Sequence, residues 1–147
     1  MSGGVIKLHY DISPDDFTLA GEASSNVRKK LVQLGVDPAL VKKTAIAMYE
    51  AEINTVIHAN GGASDIEIDS EKIVVKIKDT GPGIPDLELA MQEGWSTAGD
   101  SIRKMGFGAG MGLPNMKRYA DKLEIETEVG KGTTVVIVVY LKVVKED

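Results

Sequence analysis

SDIEIDSEKIVVKIKDTGPGI, residues 64–84, decides the fold. In SDIEIDS (64–70) and KIVVKIKD (72–79), apolar and polar residues alternate, as in strands with one face on a core and the other in water. Ser70-Glu71 leaves room only for a tight connection, so the two stretches form an antiparallel hairpin. The pattern recurs elsewhere. VIKLHYDI (5–12) alternates in the same way, and LEIETEV (123–129) and TTVVIVVYLKVV (133–144) flank a Gly130-Lys131-Gly132 turn, a second hairpin. Such a sheet has one apolar face, which something must cover.

The segments between the strands supply the cover. Ser13-Pro14-Asp15-Asp16 reads as a helix start with Ser13 as N-cap, and the helix runs to about Leu34 before Gly35 stops it. Asp37-Pro38 repeats the start signal, and LVKKTAIAMYEAEINTVIHAN (40–60) continues to Gly61-Gly62. A third helix reads from Gly112 to about Lys122. The fold class is therefore α+β: a two-layer α/β sandwich whose mixed, mostly antiparallel sheet is covered on one face by about three helices. Residues 1–147 make one domain. Between the two hairpins, residues 80–109 are rich in Gly, Pro, Ser and Thr without long periodicity, and an irregular segment that long signals function or mobility.

Composition narrows the functions. The chain is 43% hydrophobic and 27% charged, with a net charge of −5 and a pI near 5.1, which argues against direct nucleic-acid binding or a membrane surface. The absence of Cys excludes disulfides, thiolate zinc sites and cysteine nucleophiles, and suits a reducing cytoplasm. Two His are too few for a His-rich metal site. MSGGVIKLHY lacks the basic and apolar regions of an export signal, and no apolar run reaches the roughly 18 residues of a membrane span. A soluble, cytoplasmic protein is expected.

Three stretches carry chemistry. On a helical wheel, Ala45, Ile46, Tyr49, Ile53, Val56 and Ile57 gather on one side and are expected to pack on the sheet, with Glu50, Asn54 and His58 as a bordering stripe. A solvated polar edge would explain the stripe, but Lys or Arg stems serve that purpose better. Glu50, beside apolar neighbours, suits a general base with raised proton affinity. Asn54 offers a neutral oxygen to a hard cation such as Mg²⁺. His58 fits a structural hydrogen bond.

Asp79-Thr80-Gly81-Pro82-Gly83-Ile84 closes an apolar strand. It is either a plain turn or a device in which Asp79 accepts a hydrogen bond from an exocyclic amine such as adenine's, while Gly81 and Gly83 admit a flat ring. KMGFGAGMGLPNM (104–116) has Gly106, Gly108, Gly110 and Gly112 at every second position, a spacing that fits no dinucleotide fingerprint. Gly130-Lys131-Gly132-Thr133 likewise fails the P-loop pattern. The glycine stretch is either a flexible loop or one that bares N–H groups beside a helix N-terminus for an anion, phosphate above all.

The order of these signals, from about Ala45 to Val138, resembles the GHKL superfamily of ATP-binding domains. That superfamily includes type II topoisomerases, histidine kinases, mismatch-repair ATPases and anti-sigma-factor serine kinases. The resemblance implies ATP and Mg²⁺ as cofactors, with Glu50 as catalytic base and Asn54 as the Mg²⁺ ligand. It makes Asp79 the adenine reader, supported by Gly81, Gly83 and Ile84, with Gly108, Gly110, Met111, Gly112 and Leu113 covering phosphate. It also implies that Thr133 closes the base pocket and that about Leu87 to Phe107 would be the ATP lid. Arg103 and Lys104 are the cations nearest that glycine stretch in sequence, and one of them is expected to touch phosphate.

At 147 residues the chain looks like the small stand-alone members, the anti-sigma-factor serine kinases. Asn54-Thr55-Val56-Ile57-His58 is similar to their N-x-x-x-H stretch, and Met111-Gly112-Leu113-Pro114-Asn115-Met116-Lys117-Arg118, followed by Asp121 and Leu123-Glu124-Ile125, looks like the switch kinases. That likeness implies phosphorylation of Ser or Thr on a STAS-domain anti-anti-sigma protein. The alternative is an anti-sigma factor that sequesters a sigma factor, as a homodimer, with ATP as regulatory ligand. Two features depart from the pattern: Thr55, where members often have Ala, is expected on the side away from the apolar stripe, and the stretch around Trp95 matches no motif.

Overall fold

The computed structural model describes residues 4–12, 21–58, 61–81 and 112–141. The strands are β1 (Ile6–Ile12), β2 (Gly62–Ile68), β3 (Lys72–Asp79), β4 (Lys122–Glu128) and β5 (Gly132–Tyr140), and the helices are α1 (Glu22–Gln33), α2 (Pro38–His58) and α3 (Gly112–Tyr119). The strands form one sheet in the order β1-β2-β3-β5-β4, with every described pairing antiparallel. Alternation sets the register. Ile66 and Ile68 of β2, Ile73, Val75 and Ile77 of β3, and Val135, Ile137 and Val139 of β5 are buried, while Asp65, Glu67, Lys72, Lys76 and Lys78 are exposed. The expected α/β sandwich is thus the observed one.

The turn of the first hairpin owes its tightness to Asp69. Its Oδ1 accepts the backbone N–H groups of Glu71 at 2.7 Å and Lys72 at 2.8 Å, an Asx-type turn. Asp37 serves α2 likewise, taking the Ala39 N–H at 2.8 Å, so the Asp37-Pro38 start signal marks a real N-terminus.

Three expectations need correction. A continuous helix from Ser13 to Leu34 is broken at Gly21, whose φ of 92° lies in the left-handed region, and α1 begins at Glu22; Ser13 and Pro14 lie outside the described residues. The third helix ends at Tyr119 rather than Lys122, because the Asp121 N–H already donates to the Val138 carbonyl at 2.9 Å and joins the sheet. The buried face of α2 is turned by roughly a third of a revolution from the expected one. Val41, Thr44, Ala47, Met48, Ala51, Thr55 and Val56 are buried, whereas Ala45 and Ile46 are only half-buried and Tyr49 is 38% exposed. Ile53 is buried as expected, and the Ile57 side chain lies outside the described ones.

The reason is that α2 is the central helix. It packs against α1 on one flank and α3 on the other as well as on the sheet, so apolar residues surround most of its circumference and periodicity loses its power to choose a face. Thr55 sits inside, not away from the core, because its hydroxyl donates to the Ala51 carbonyl at 3.1 Å; Thr44 does the same to Leu40 at 2.9 Å.

Glu52, only 3% exposed, is the least expected core residue. Its carboxylate accepts the N–H groups of Gly21 at 3.0 Å, Ala23 at 3.1 Å and Ser24 at 3.0 Å, so a side chain from α2 caps the N-terminus of α1. Gly21 is needed here twice over, for its positive φ and because a Cβ would lie 2.9 Å from the Tyr49 ring. Glu52→Ala leaves three donors without an acceptor. We expect it to cost about 3 kcal/mol and to lower Tm by roughly 6–12 °C, with Glu52→Gln costing about half as much because it keeps one acceptor oxygen. Thermal denaturation of the three proteins checks this.

Candidate active site

Two clusters carry the chemistry. The first lies at the C-terminal end of β3, where Asp79 Oδ1 accepts the Gly81 N–H at 2.9 Å and the Thr133 N–H at 3.1 Å. Both hydrogen bonds from described residues fall on the same oxygen, which fixes the carboxylate plane and leaves Oδ2 as an acceptor. Thr133 is 8% exposed, and its hydroxyl pairs with that of Thr127 at 2.9 Å. Gly81 is buried.

Gly132 makes this closeness feasible. Its φ is 135°, and a Cβ there would fall 2.2 Å from the Asp79 carbonyl oxygen and 3.1 Å from Thr80 Cα, both backbone atoms that cannot step aside. On the other side of β3, Gly62 faces Asp79 in the register, and its Cβ would lie 2.4 Å from the Lys78 carbonyl. The Asp79 backbone is thus seated between two glycines.

The second cluster lies on α2. Glu50 and Asn54 are one turn apart and both half-buried, so the expected stripe borders the interior. Burial pushes the Glu50 carboxyl above its ordinary value, and a hydrogen bond from Asn115 pulls the other way without reversing the shift. Asn115 Nδ2 donates to Glu50 Oε1 at 3.4 Å. Raised proton affinity on a half-open carboxyl suits a group that takes a proton from an alcohol. The α2 helix packs on β3 and β5, the strands that carry Asp79 and Thr133.

Of the expected site residues, Asp79, Gly81 and Thr133 are brought together, and Glu50 and Asn54 share one edge of α2. Gly112 and Leu113 open α3, though the Leu113 side chain lies outside the described ones. Gly83, Ile84, Arg103, Lys104, Gly108, Gly110, Met111, Trp95 and the lid segment 87–107 also lie outside the described residues, as does the His58 side chain. Among the described residues no group of three His, Cys, Asp or Glu could hold a metal ion. Asn115 and Glu52 were missed by sequence reasoning. A carboxylate two residues from Glu50, hence on the opposite side of the helix, is a signal that could have flagged Glu52, whereas nothing local to Asn115 points to a partner on another helix.

A half-buried carboxyl with raised proton affinity, an aspartate anchored between glycines and a threonine packed against it thus sit on one α/β sandwich. Residues 41–143 match the family described as histidine kinase-, DNA gyrase B-, and HSP90-like ATPase, and the chain belongs to that family. It is an ATP-binding domain. The chain is 35% identical over 131 residues to the serine/threonine-protein kinase RsbT of Bacillus subtilis, covering 86% of this chain and 90% of that one. It is 31% identical over 124 residues to an anti-sigma F factor of Clostridium beijerinckii, covering 79% and 83%. The crystal structure of the RsbU and RsbW domains of Rv1364c from Mycobacterium tuberculosis shares the fold. Its TM-score is 0.60 at 15% identity, over 90% of this chain and 32% of that longer one.

Proposed function

We propose that the chain, as a single domain, is an ATP- and Mg²⁺-dependent protein serine/threonine kinase of the anti-sigma regulatory type, acting on a STAS-domain anti-anti-sigma partner. The observation that carries transfer, rather than mere binding, is the half-buried Glu50 carboxyl held above its ordinary proton affinity. Membership of the ATPase family and the likeness to a serine/threonine-protein kinase over most of both chains support the reading.

Each described residue has a part. Asp79 Oδ2 accepts the adenine amine, Gly81 and Thr133 hold Asp79 in place, and Glu50 takes the proton as the acceptor's hydroxyl oxygen bonds to the γ-phosphorus and the bond to ADP breaks. The Asn54 side-chain oxygen, hard and neutral, fits Mg²⁺, which would spread the charge of the transferring group. Most of the rate enhancement is then positioning. The glycine-rich stretch and Arg103 or Lys104 complete the phosphate site in this reading. No described helix is long and apolar enough to cross a membrane, and we place the protein's action in the cytoplasm.

The second reading, sequestration of a sigma factor by a homodimer with ATP as regulatory ligand, is favoured by the likeness to anti-sigma F factors. Incubation with γ-labelled ATP and STAS-domain proteins encoded in the same genome separates the two. Label on an acceptor Ser or Thr, lost in Glu50→Ala, is the expected result. A stable complex with a sigma factor and no label would overturn the kinase reading.

A further inference from the structure

We propose that Asn115 is a positioning residue for the base: its carboxamide, presented by α3, holds one oxygen of Glu50 and leaves the other for the acceptor's hydroxyl. The functional half of this inference rests on the kinase reading, whereas the pairing itself does not. Among the described residues, the amide of Asn115 is the side-chain group that hydrogen-bonds Glu50, at 3.4 Å, and both residues are half-buried. A carboxylate only accepts, so the amide must turn its NH₂ toward Glu50, which settles the orientation of the Asn115 side chain.

The neighbours of Asn115 fix its place. Met116, the next residue, has no exposed surface, so this turn of α3 is seated in the core. Two residues past the end of the helix, Asp121 Oδ1 accepts from Lys43 Nζ at 2.5 Å, and its Oδ2 accepts the Tyr140 N–H at 2.8 Å. Lys43 lies on α2 two turns before Glu50, on the same side of the helix. Glu50 with Asn115 on α3, and Lys43 with Asp121 just past its end, therefore tie α2 to α3 and to the turn that follows it. The helix starts at Gly112, where the glycine-rich stretch ends, so one eight-residue element links that stretch to the base.

Without this amide, a glutamate with three rotatable side-chain bonds samples several rotamers, and only some aim an oxygen at the acceptor. The test combines spectroscopy with kinetics on the full chain. In the ¹⁵N-labelled protein, the Asn115 side-chain NH₂ resonances should move on Glu50→Ala; unchanged resonances would overturn the pairing. Asn115→Leu, similar in volume but without a donor, should lower kcat for transfer roughly 10–100-fold while the Kd for ADP stays within about twofold. Asn115→Gln should recover part of the loss, and Asn115→Leu should cost nothing further in a Glu50→Ala background. Loss of ADP affinity in parallel with kcat, or full multiplication of the two losses, would overturn the positioning role. If the wild type transfers phosphate to no acceptor, the kinase reading fails, and the NH₂ resonances still decide the pairing.

Discussion

Glu50→Gln is expected to lower phosphoryl transfer by about 10²–10⁴-fold while leaving the affinity for ADP within about twofold, and to raise the melting temperature at neutral pH. The first two effects follow from its place. Glu50 lies on α2, no described residue hydrogen-bonds its second carboxylate oxygen, and it is not part of the cluster that anchors Asp79. The third follows from burial. Desolvation holds the Glu50 carboxyl above its ordinary value, with Asn115 opposing but not cancelling that effect. Between the unfolded and folded values the native state binds more protons than the unfolded chain, so stability falls as pH rises through that window. Above the folded value the penalty is complete, and below the unfolded value it vanishes. Glutamine removes the charge, so the gain in stability should appear at neutral pH and disappear in acid. Melting curves across pH, beside single-turnover transfer assays, check both. The acid limb of the transfer rate should likewise lie above the ordinary carboxylate range.

Asp79→Asn should weaken ADP binding by roughly 30–1000-fold, with little loss of fold. The amide oxygen can still accept the N–H groups of Gly81 and Thr133, which reach Oδ1 at 2.9 and 3.1 Å. The other position then becomes an NH₂, a donor facing the donor of an adenine. Binding fails there while the turn survives. Gly132→Ala makes the complementary comparison, since its Cβ would strike the Asp79 carbonyl oxygen at 2.2 Å. That variant should lose stability and nucleotide affinity together, because it displaces the backbone that carries the carboxylate. Isothermal titration with ADP, paired with thermal melts, distinguishes the two outcomes; retained affinity in Asp79→Asn would remove Asp79 from the nucleotide site.

Much of this was legible before any coordinates. Strand alternation marked which side chains of β2 and β3 enter the core, since a period of two admits only one register with a buried face. The turn chemistry of Asp37-Pro38 located the start of α2 for the same local reason. Glu50 stood out as a candidate because a carboxylate beside apolar residues is a poor choice for solubility alone, whereas the stretch at Asp79 read equally well as a plain turn.

What local pattern could not reach were contacts between elements distant in sequence. The buried face of α2 was misread because α1 and α3 flank it, and no periodicity within residues 40–60 records which neighbours arrive. Glu52 caps a helix that begins thirty residues earlier in the chain, and Asn115 meets a carboxylate sixty-five residues away. The strand segments and the two hairpins were readable from sequence alone, because periodicity and turn chemistry act between near neighbours. The cap on α1, the two-glycine seat of Asp79 and the amide beside Glu50 were decided only by tertiary structure, because each needs a donor and an acceptor that packing alone brings within reach.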